Sequence, residues 1–441
     1  MTKLTAVAAL LIAAGSLTGT MAEGYQVNSL SAKQNGMGHT GVAQKLGAES
    51  MIFNPAGMAH MDRIIDFSGS VTGIFANASA TLPDGSKYTT DNNPSTPLSF
   101  NLGFSIYKNL KGGVSFYTPY GSGINWGTNW PGAVFSQSVK LQTFTIQPTL
   151  ALRILPNLSV GAGAMMTWGT VNLDKGLVPG SSFAALLSMA GQQWNPSDTP
   201  ASINLKGKAG VTVGVNVGLM WDISSKVTVG ASFRSQMNMK VKKGTAAVSY
   251  ANELSQAMLQ QRLNILDEAN FAASMPCAAV WNLGVAYRPT SRLLLAFDAQ
   301  LTQWSAYKNL DIEFLSESLK PYDQHIAKNY RNSMTYKIGG QYSITERFDV
   351  RLGLMVDTTP VRDDLYNPET PGMTRVSPSV GFSFSPIKNF SIDAALLYVA
   401  GCGADGKSVT TIDLLTQKPA VFTANYQVSA WNPSLGVSVR F

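Results

Sequence analysis

The stretch "VTVGVNVGLMW", Val211 to Trp221, places Val211, Val213, Val215, Val217, Leu219 and Trp221 on one side and Thr212, Gly214, Asn216 and Gly218 on the other. Successive side chains of a strand point to opposite faces, so this is a β-strand with one apolar and one small, polar face. The same pattern recurs in "LSFNLGFSIYK" (Leu98, Phe100, Leu102, Phe104, Ile106), in "FDVRLGLMV" (Phe348, Val350, Leu352, Leu354) and in the terminal "SLGVSVRF" (Leu435, Val437, Val439, Phe441). A soluble sandwich also alternates, so no single strand separates the two architectures.

The connections separate them. About fourteen such segments follow one another, and short links alternate with long ones. The short links are "KNLK" (Lys108–Lys111), "LPN" (Leu155–Asn157), "DISSK" (Asp222–Lys226), "RPTSR" (Arg288–Arg292), "ITE" (Ile344–Glu346) and "SPIKN" (Ser385–Asn389). Tight periplasmic turns with longer outer loops characterise outer-membrane barrels. Only 13% of residues are charged, whereas 45% are apolar; soluble domains carry roughly 25% charge. After residue 22 no run is apolar for long enough to be a membrane helix, which leaves a closed barrel as the spanning structure. The expected fold is all-β, a transmembrane antiparallel barrel of about fourteen strands with an N-terminal hatch, or plug, inside the lumen.

Three regions are expected. "MTKLTAVAALLIAAGSLTGTMA" reads as a signal peptide over 1–22, with Lys3 before the apolar stretch and Thr20-Met21-Ala22 as cleavage site. Residues 23–63 read as the hatch, and 64–441 as the barrel with long extracellular loops. The hatch contains "NPAG", where Asn54 can cap a helix starting at Pro55, followed by Ala56 and Gly57. It is too apolar and too poor in charge for a disordered leader. A barrel this wide encloses water or a plug. Its inward face carries Arg153, Arg234, Asp298, Lys337, Asp349, Arg351 and Asp393, expected to form a structural network. Trp168, Trp221, Trp304 and Tyr398 suit interfacial girdles or ordinary packing equally.

The chain resembles the long-chain fatty acid and toluene transporters of Gram-negative outer membranes, the FadL/TodX (OMPP1) family. The resemblance runs through "GMGHTGVAQKLGAESMIFNPAGMA", "YTPYGSGINWGTNWPG" (Tyr117–Gly132), "IQPTLALRILPNLSVGAGAMMTW", "WNLGVAYRP", "FDAQLTQWSAY", "GLMVDTTPV" and Phe441. It implies passive uptake of a hydrophobic small molecule, most simply a long-chain fatty acid, which rests in a pocket near the hatch and leaves sideways at a kinked third strand. Pro119, Gly121 and Gly123 fit that kink, because Pro removes a ladder donor and Gly weakens pairing; ordinary loop chemistry is the alternative. Carrying the family's basic positions across gives Lys175 in "NLDKG" and Lys328 in "HIAKNY" as carboxylate-binding residues, with solvated rim lysines as the alternative. Two outer-loop helices, "SSFAALLSMAG" (Ser181–Gly191) and "ANELSQAMLQQRLNIL" (Ala251–Leu266), either form a groove for lipid tails or pack on each other.

Uptake of an aromatic hydrocarbon or another small apolar compound uses the same physics. A ~16-carbon tail gains roughly 12 kcal/mol gross on leaving water, so no pump is required. A general porin or a surface adhesin or receptor is a weaker reading. With only His39, His60 and His325, the chain offers no catalytic constellation. No enzyme activity, cofactor, metal or nucleic acid is expected. The expected partners are the cargo, outer-membrane lipid and lipopolysaccharide, and the barrel-assembly machinery through Phe441; the expected state is a monomer. Net charge is +7, or +6 without Lys3, which suits anionic lipid or anionic substrate alike. Cys277 and Cys402 lie near strand ends on the outer side, where a disulfide is geometrically open.

Overall fold

The computed structural model describes residues 24–263 and 268–441. The expected signal peptide lies outside the described residues. Fourteen antiparallel strands form a closed ring. In chain order they are β1 (Ile65–Thr72 and Phe75–Thr81), β2 (Leu98–Ser105), β3 (Leu110–Tyr117 and Gly121–Asn125), β4 (Ser138–Leu155) and β5 (Leu158–Gly176). Then come β6 (Ala201–Asp222), β7 (Val227–Arg234 and Met237–Tyr250), β8 (Glu268–Cys277 and Val280–Tyr287), β9 (Leu293–Thr302 and Asn309–Phe314) and β10 (Ser333–Thr345). The last four are β11 (Phe348–Asp357), β12 (Arg375–Ile387), β13 (Phe390–Gly401 and Ala404–Ile412) and β14 (Pro419–Arg440). Gly69 of β1 pairs with Val437 of β14 on one side and with Phe100 of β2 on the other, which closes the ring.

Each short link read from the sequence is a turn between neighbouring strands. The parity also holds. Val213 is 65% exposed and Leu352 68% exposed on the outer wall, whereas Asn216 and Arg351 are buried inside. Some strands extend far beyond the ~9–11 residues that cross a bilayer; β6 and β14 each run for 22 residues. Their outer parts therefore rise above the membrane at the end bearing the long loops.

The chain ahead of β1 is buried against the inward faces of strands around the ring. Asn35 Nδ2 donates to Ser434 Oγ of β14 (2.7 Å), and Gly38 N donates to Ser379 Oγ of β12 (3.0 Å). Asp298 of β9 accepts from Gly41 N at 2.6 Å; Gln147 of β4 donates to Met51 O at 2.8 Å; Ser232 of β7 donates to Phe53 O at 2.9 Å. The inward charges act as expected: Arg234 donates to Ile52 O (3.1 Å), and Asp393 sits between Lys33 (3.6 Å) and Arg351 (3.4 Å). Small lumen residues let backbone approach backbone. A Cβ added at Gly353 would stand 1.9 Å from Gly38 N. Gly353→Val is therefore expected to displace the segment, costing about 3 kcal/mol, the upper part of the overpacking range because the neighbour is backbone. Liposome swelling by small sugars should rise severalfold; an unchanged rate would show that the segment does not block the lumen.

Three expectations need correction or choice. Trp304 is not a girdle residue: it is fully buried in the lumen, in the same register as the inward-facing Asp298, Gln300 and Thr302 of β9, at the start of a 3-10 turn (Trp304–Ala306). Cys277 is buried, Cys402 is exposed, and both are free thiols. The loop helices α1 (Gly180–Ser188) and α2 (Glu253–Leu263) bury Phe183, Leu187 and Leu259 in one shared cluster, so they pack on each other. Residues 264–266 of the expected second helix lie outside the described residues.

Candidate functional site

The third strand breaks where Pro119 removes a donor. Pairing of β2 with β3 runs from Ser105↔Lys111 to Ser99↔Tyr117 and stops there. On the β4 side, Tyr117 opposes Thr145 and Gly121 opposes Gln142, so β3 carries one extra residue and bulges. The N-terminal segment fills the break: Val27 N donates to Pro119 O (2.9 Å) and Gly121 N donates to Tyr25 O (2.8 Å), flanking a bridge between Gln26 and Tyr120. Gly123 continues β3 above it, opposite Lys140. Tyr25 packs edge-on against Trp304 at 4.6 Å between ring centroids, and the cluster extends through Tyr120, Tyr307 and Tyr330.

Above these rings the lumen is lined by apolar side chains, among them Met165, Met237, Met239 and Phe135. Flexible thioethers suit apolar guests of varied shape. This lining adjoins a second cluster through Val139, Val171, Ala209 and Leu310. The second cluster borders a cavity of about 110 Å³ walled by Leu205, Ile203, Phe314 and Leu319, with Ile412 and Leu414 also on its wall. Lys175 lines it, at the outer end of β5. Glu369 and Lys328 lie within electrostatic reach of Lys175. Lys328, in the loop before β10, donates to Glu369 at 2.7 Å; both are buried, 3% and 6% exposed. Burial alone would lower the Lys328 ammonium; Glu369 with Tyr307 and Tyr330 instead holds it above its ordinary value.

At the other end, "NPAG" is a pinning point. Asn54 caps the 3-10 helix Pro55–His60: its Oδ1 accepts from Ala56 N (3.1 Å), and its Nδ2 donates to Val42 O (2.7 Å) and to Leu219 O of β6 (3.0 Å). Pro55 lies so close to β5 that a Cβ at Gly161 would meet its carbonyl carbon at 2.4 Å. Gly57 faces Ser50. Asn54→Ala removes one side chain that serves three partners and strands buried groups, each at about 1–3 kcal/mol. The expected outcome is a lower unfolding temperature of the detergent-solubilised protein; an unchanged value would show that this pin is dispensable.

Residues 13–441 match the family model described as outer membrane protein transport protein (OMPP1/FadL/TodX). The chain belongs to the OMPP1/FadL/TodX family. Outer membrane protein P1 of Haemophilus influenzae is 22% identical over 465 residues, covering 98% of this chain and 97% of that protein. A long-chain fatty acid transport protein of Salmonella typhi is 22% identical, covering 86% and 87%. Among solved structures, a Pseudomonas aeruginosa FadL homologue superposes with TM-score 0.81 at 20% identity, covering 95% of this chain and 100% of that one. The Pseudomonas putida toluene transporter TodX does so with TM-score 0.70 at 15% identity, covering 97% and 99%. The protein is thus an outer-membrane β-barrel transporter of hydrophobic molecules and not an enzyme.

Within this FadL/TodX-type barrel, Lys175 and Lys328 come within electrostatic reach of each other, whereas on the β2 side of the break Pro119 and Gly121 meet the N-terminal residues instead of a neighbouring strand. Sequence reasoning missed Glu369 and the contact of Tyr25–Val27 with β3. The one available signal for Glu369 was an isolated acid between prolines in "NPETPG" (Asn367–Gly372). Nothing local marks Tyr25.

Proposed function

We propose that the chain takes up long-chain fatty acids passively. The carboxylate is held at Lys175 beside the Lys328–Glu369 pair, the tail lies along the apolar wall of Leu205, Ile203 and Phe314, and residues 24–63 act as the hatch. Withdrawal of Tyr25–Val27 from Thr118–Tyr120 opens the lateral exit at the kink of β3. The observation that carries this reading is one lysine set in a mostly apolar cavity wall, beside Gln324 and Thr411: a charge that burial makes costly is retained where a carboxylate would compensate it. Removal of the tail from water supplies the drive, so the transfer needs no pump.

A second reading, uptake of small aromatic hydrocarbons, draws on the ring cluster of Tyr25, Tyr120, Trp304, Tyr307 and Tyr330. Neutral arenes need no cation. Competition binding separates the two: Lys175→Met should weaken binding of a long-chain fatty acid about tenfold, the loss of one charge-assisted hydrogen bond, and leave toluene unaffected. Mass spectrometry of molecules that co-purify with the protein gives an independent readout. Equal loss for both ligands, or no loss for the acid, would remove the carboxylate from the mechanism.

A further inference from the structure

Six lysines stand on the outside of the barrel wall, beyond the outer end of its apolar belt. Lys206 and Lys208 of β6 alternate with the inward-facing Leu205 and Gly207, and Lys240 of β7 alternates with the buried Met239 and Val241. Between Val241 and Gly244 the pairing of β7 with β8 slips by one residue, and this bulge leaves Lys242 and Lys243 both exposed. Lys140 of β4 shares a row with Asn172 and Lys206 across β5 and β6. Among the described residues none of the six lysines forms an ion pair.

Their height is fixed by what lies below. Phe144 and Trp168 stack on the outer wall at 6.1 Å between centroids, and Phe116 joins them, an aromatic girdle of the kind found at a membrane surface. Val211 and Val213, among the most exposed valines of the chain, follow directly beneath. Lys208 is three residues from Val211, roughly 10 Å along a strand, and β6 and β7 are ~4.8 Å apart. Five cations therefore crowd two adjacent strands at headgroup level. The outward acids nearby are fewer than the six lysines and none is paired with one: Asp174, which accepts from Ser138 (2.6 Å) and Asn204 (2.6 Å), Asp311 with His325 (2.8 Å), Glu313 on β9, two strands away from β7, and Glu268 of β8, opposite Ala247. Like charges on neighbouring strands repel. An anion bridging them relieves that repulsion, and a hydrocarbon face continuous with the patch calls for an anion that carries acyl chains.

We propose that this surface binds the phosphorylated headgroup of an outer-leaflet lipid. Its phosphates lie among Lys206, Lys208, Lys240, Lys242 and Lys243, and its acyl chains run along Val211, Val213 and Val215. Ammonium-to-phosphate hydrogen bonds supply the specificity. The proposal does not depend on which cargo the lumen carries.

The test is native mass spectrometry of the full-length protein in detergent, titrated with bisphosphorylated lipid A and with the same lipid after removal of its phosphates. The wild type should hold the phosphorylated lipid at least tenfold more tightly than the dephosphorylated one. Combined replacement Lys206→Gln, Lys208→Gln, Lys240→Gln, Lys242→Gln and Lys243→Gln should cause a similar loss, and the corresponding five Arg replacements should retain binding. Heat-modifiable gel mobility reports whether each variant folds; if the Gln variant does not, the comparison of the two lipids on the wild type decides alone. Equal binding of both lipids would overturn the proposal, as would an unaffected Gln variant or displacement of the lipid by inorganic phosphate.

Discussion

Oxidation of a Gln26→Cys, Tyr120→Cys variant is expected to cut uptake of a labelled long-chain fatty acid at least tenfold, and reduction to restore it. Hydrogen bonds from Val27 N to Pro119 O and from Gly121 N to Tyr25 O flank this pair, so Gln26 and Tyr120 oppose each other without bonding directly. Residues so placed in an antiparallel pairing have Cα atoms ~4.5 Å apart, within the ~4.4–6.8 Å that a disulfide spans. The lock would tie the N-terminal segment to the kink and hold the exit shut. Cys277 lies beside Tyr120, so the variant is made with Cys277→Ala and Cys402→Ala to prevent mispairing. Gel mobility verifies the bond, and the reduced form serves as its own control for the lost Tyr120 ring. Undiminished uptake by the oxidised form would mean that cargo leaves elsewhere.

The second large effect concerns Lys328 and Glu369. Removing one member of a buried ion pair leaves the other charge without compensation, at about 3–5 kcal/mol, whereas replacing both with apolar residues is close to neutral. Lys328→Met and Glu369→Leu should each lower the unfolding temperature markedly, and the double variant should recover most of the loss. A cycle in which the single losses simply add would show that the pair is not coupled. The pH dependence has a definite sign. A lysine whose folded value is raised contributes stability that is fully present below its unfolded value of ~10.4 and disappears as pH climbs through the folded one. From about pH 6 to 9 the lysine should therefore cause no change in stability, with loss only in strong alkali.

Glu369 also bears on cargo. By neutralising Lys328 it leaves Lys175 as the cation open to a ligand, so on the proposed reading Glu369→Gln should tighten binding of fatty acids and leave that of neutral arenes unchanged.

The wall of this protein was legible because its rules are local. Within an unbroken register a residue two positions from an exposed valine faces the same way, and six short turns set the order of the strands; neither depends on what the chain meets later. Asn54 and Pro55 were legible for the same reason, since a cap and its helix lie within a few residues of each other. The contents of the lumen were settled by tertiary structure. Lys328 and Glu369 are 41 positions apart and in different loops, and no periodicity relates them. Tyr25–Val27 carry no local signal of their own, and only closure of the ring brings the break in β3 opposite them. Trp304 shows the boundary between the two regimes: its register with Asp298, Gln300 and Thr302 already points it inward, because alternation is local, but the Tyr25 ring it packs against comes from the far end of the chain and meets it only when the ring closes.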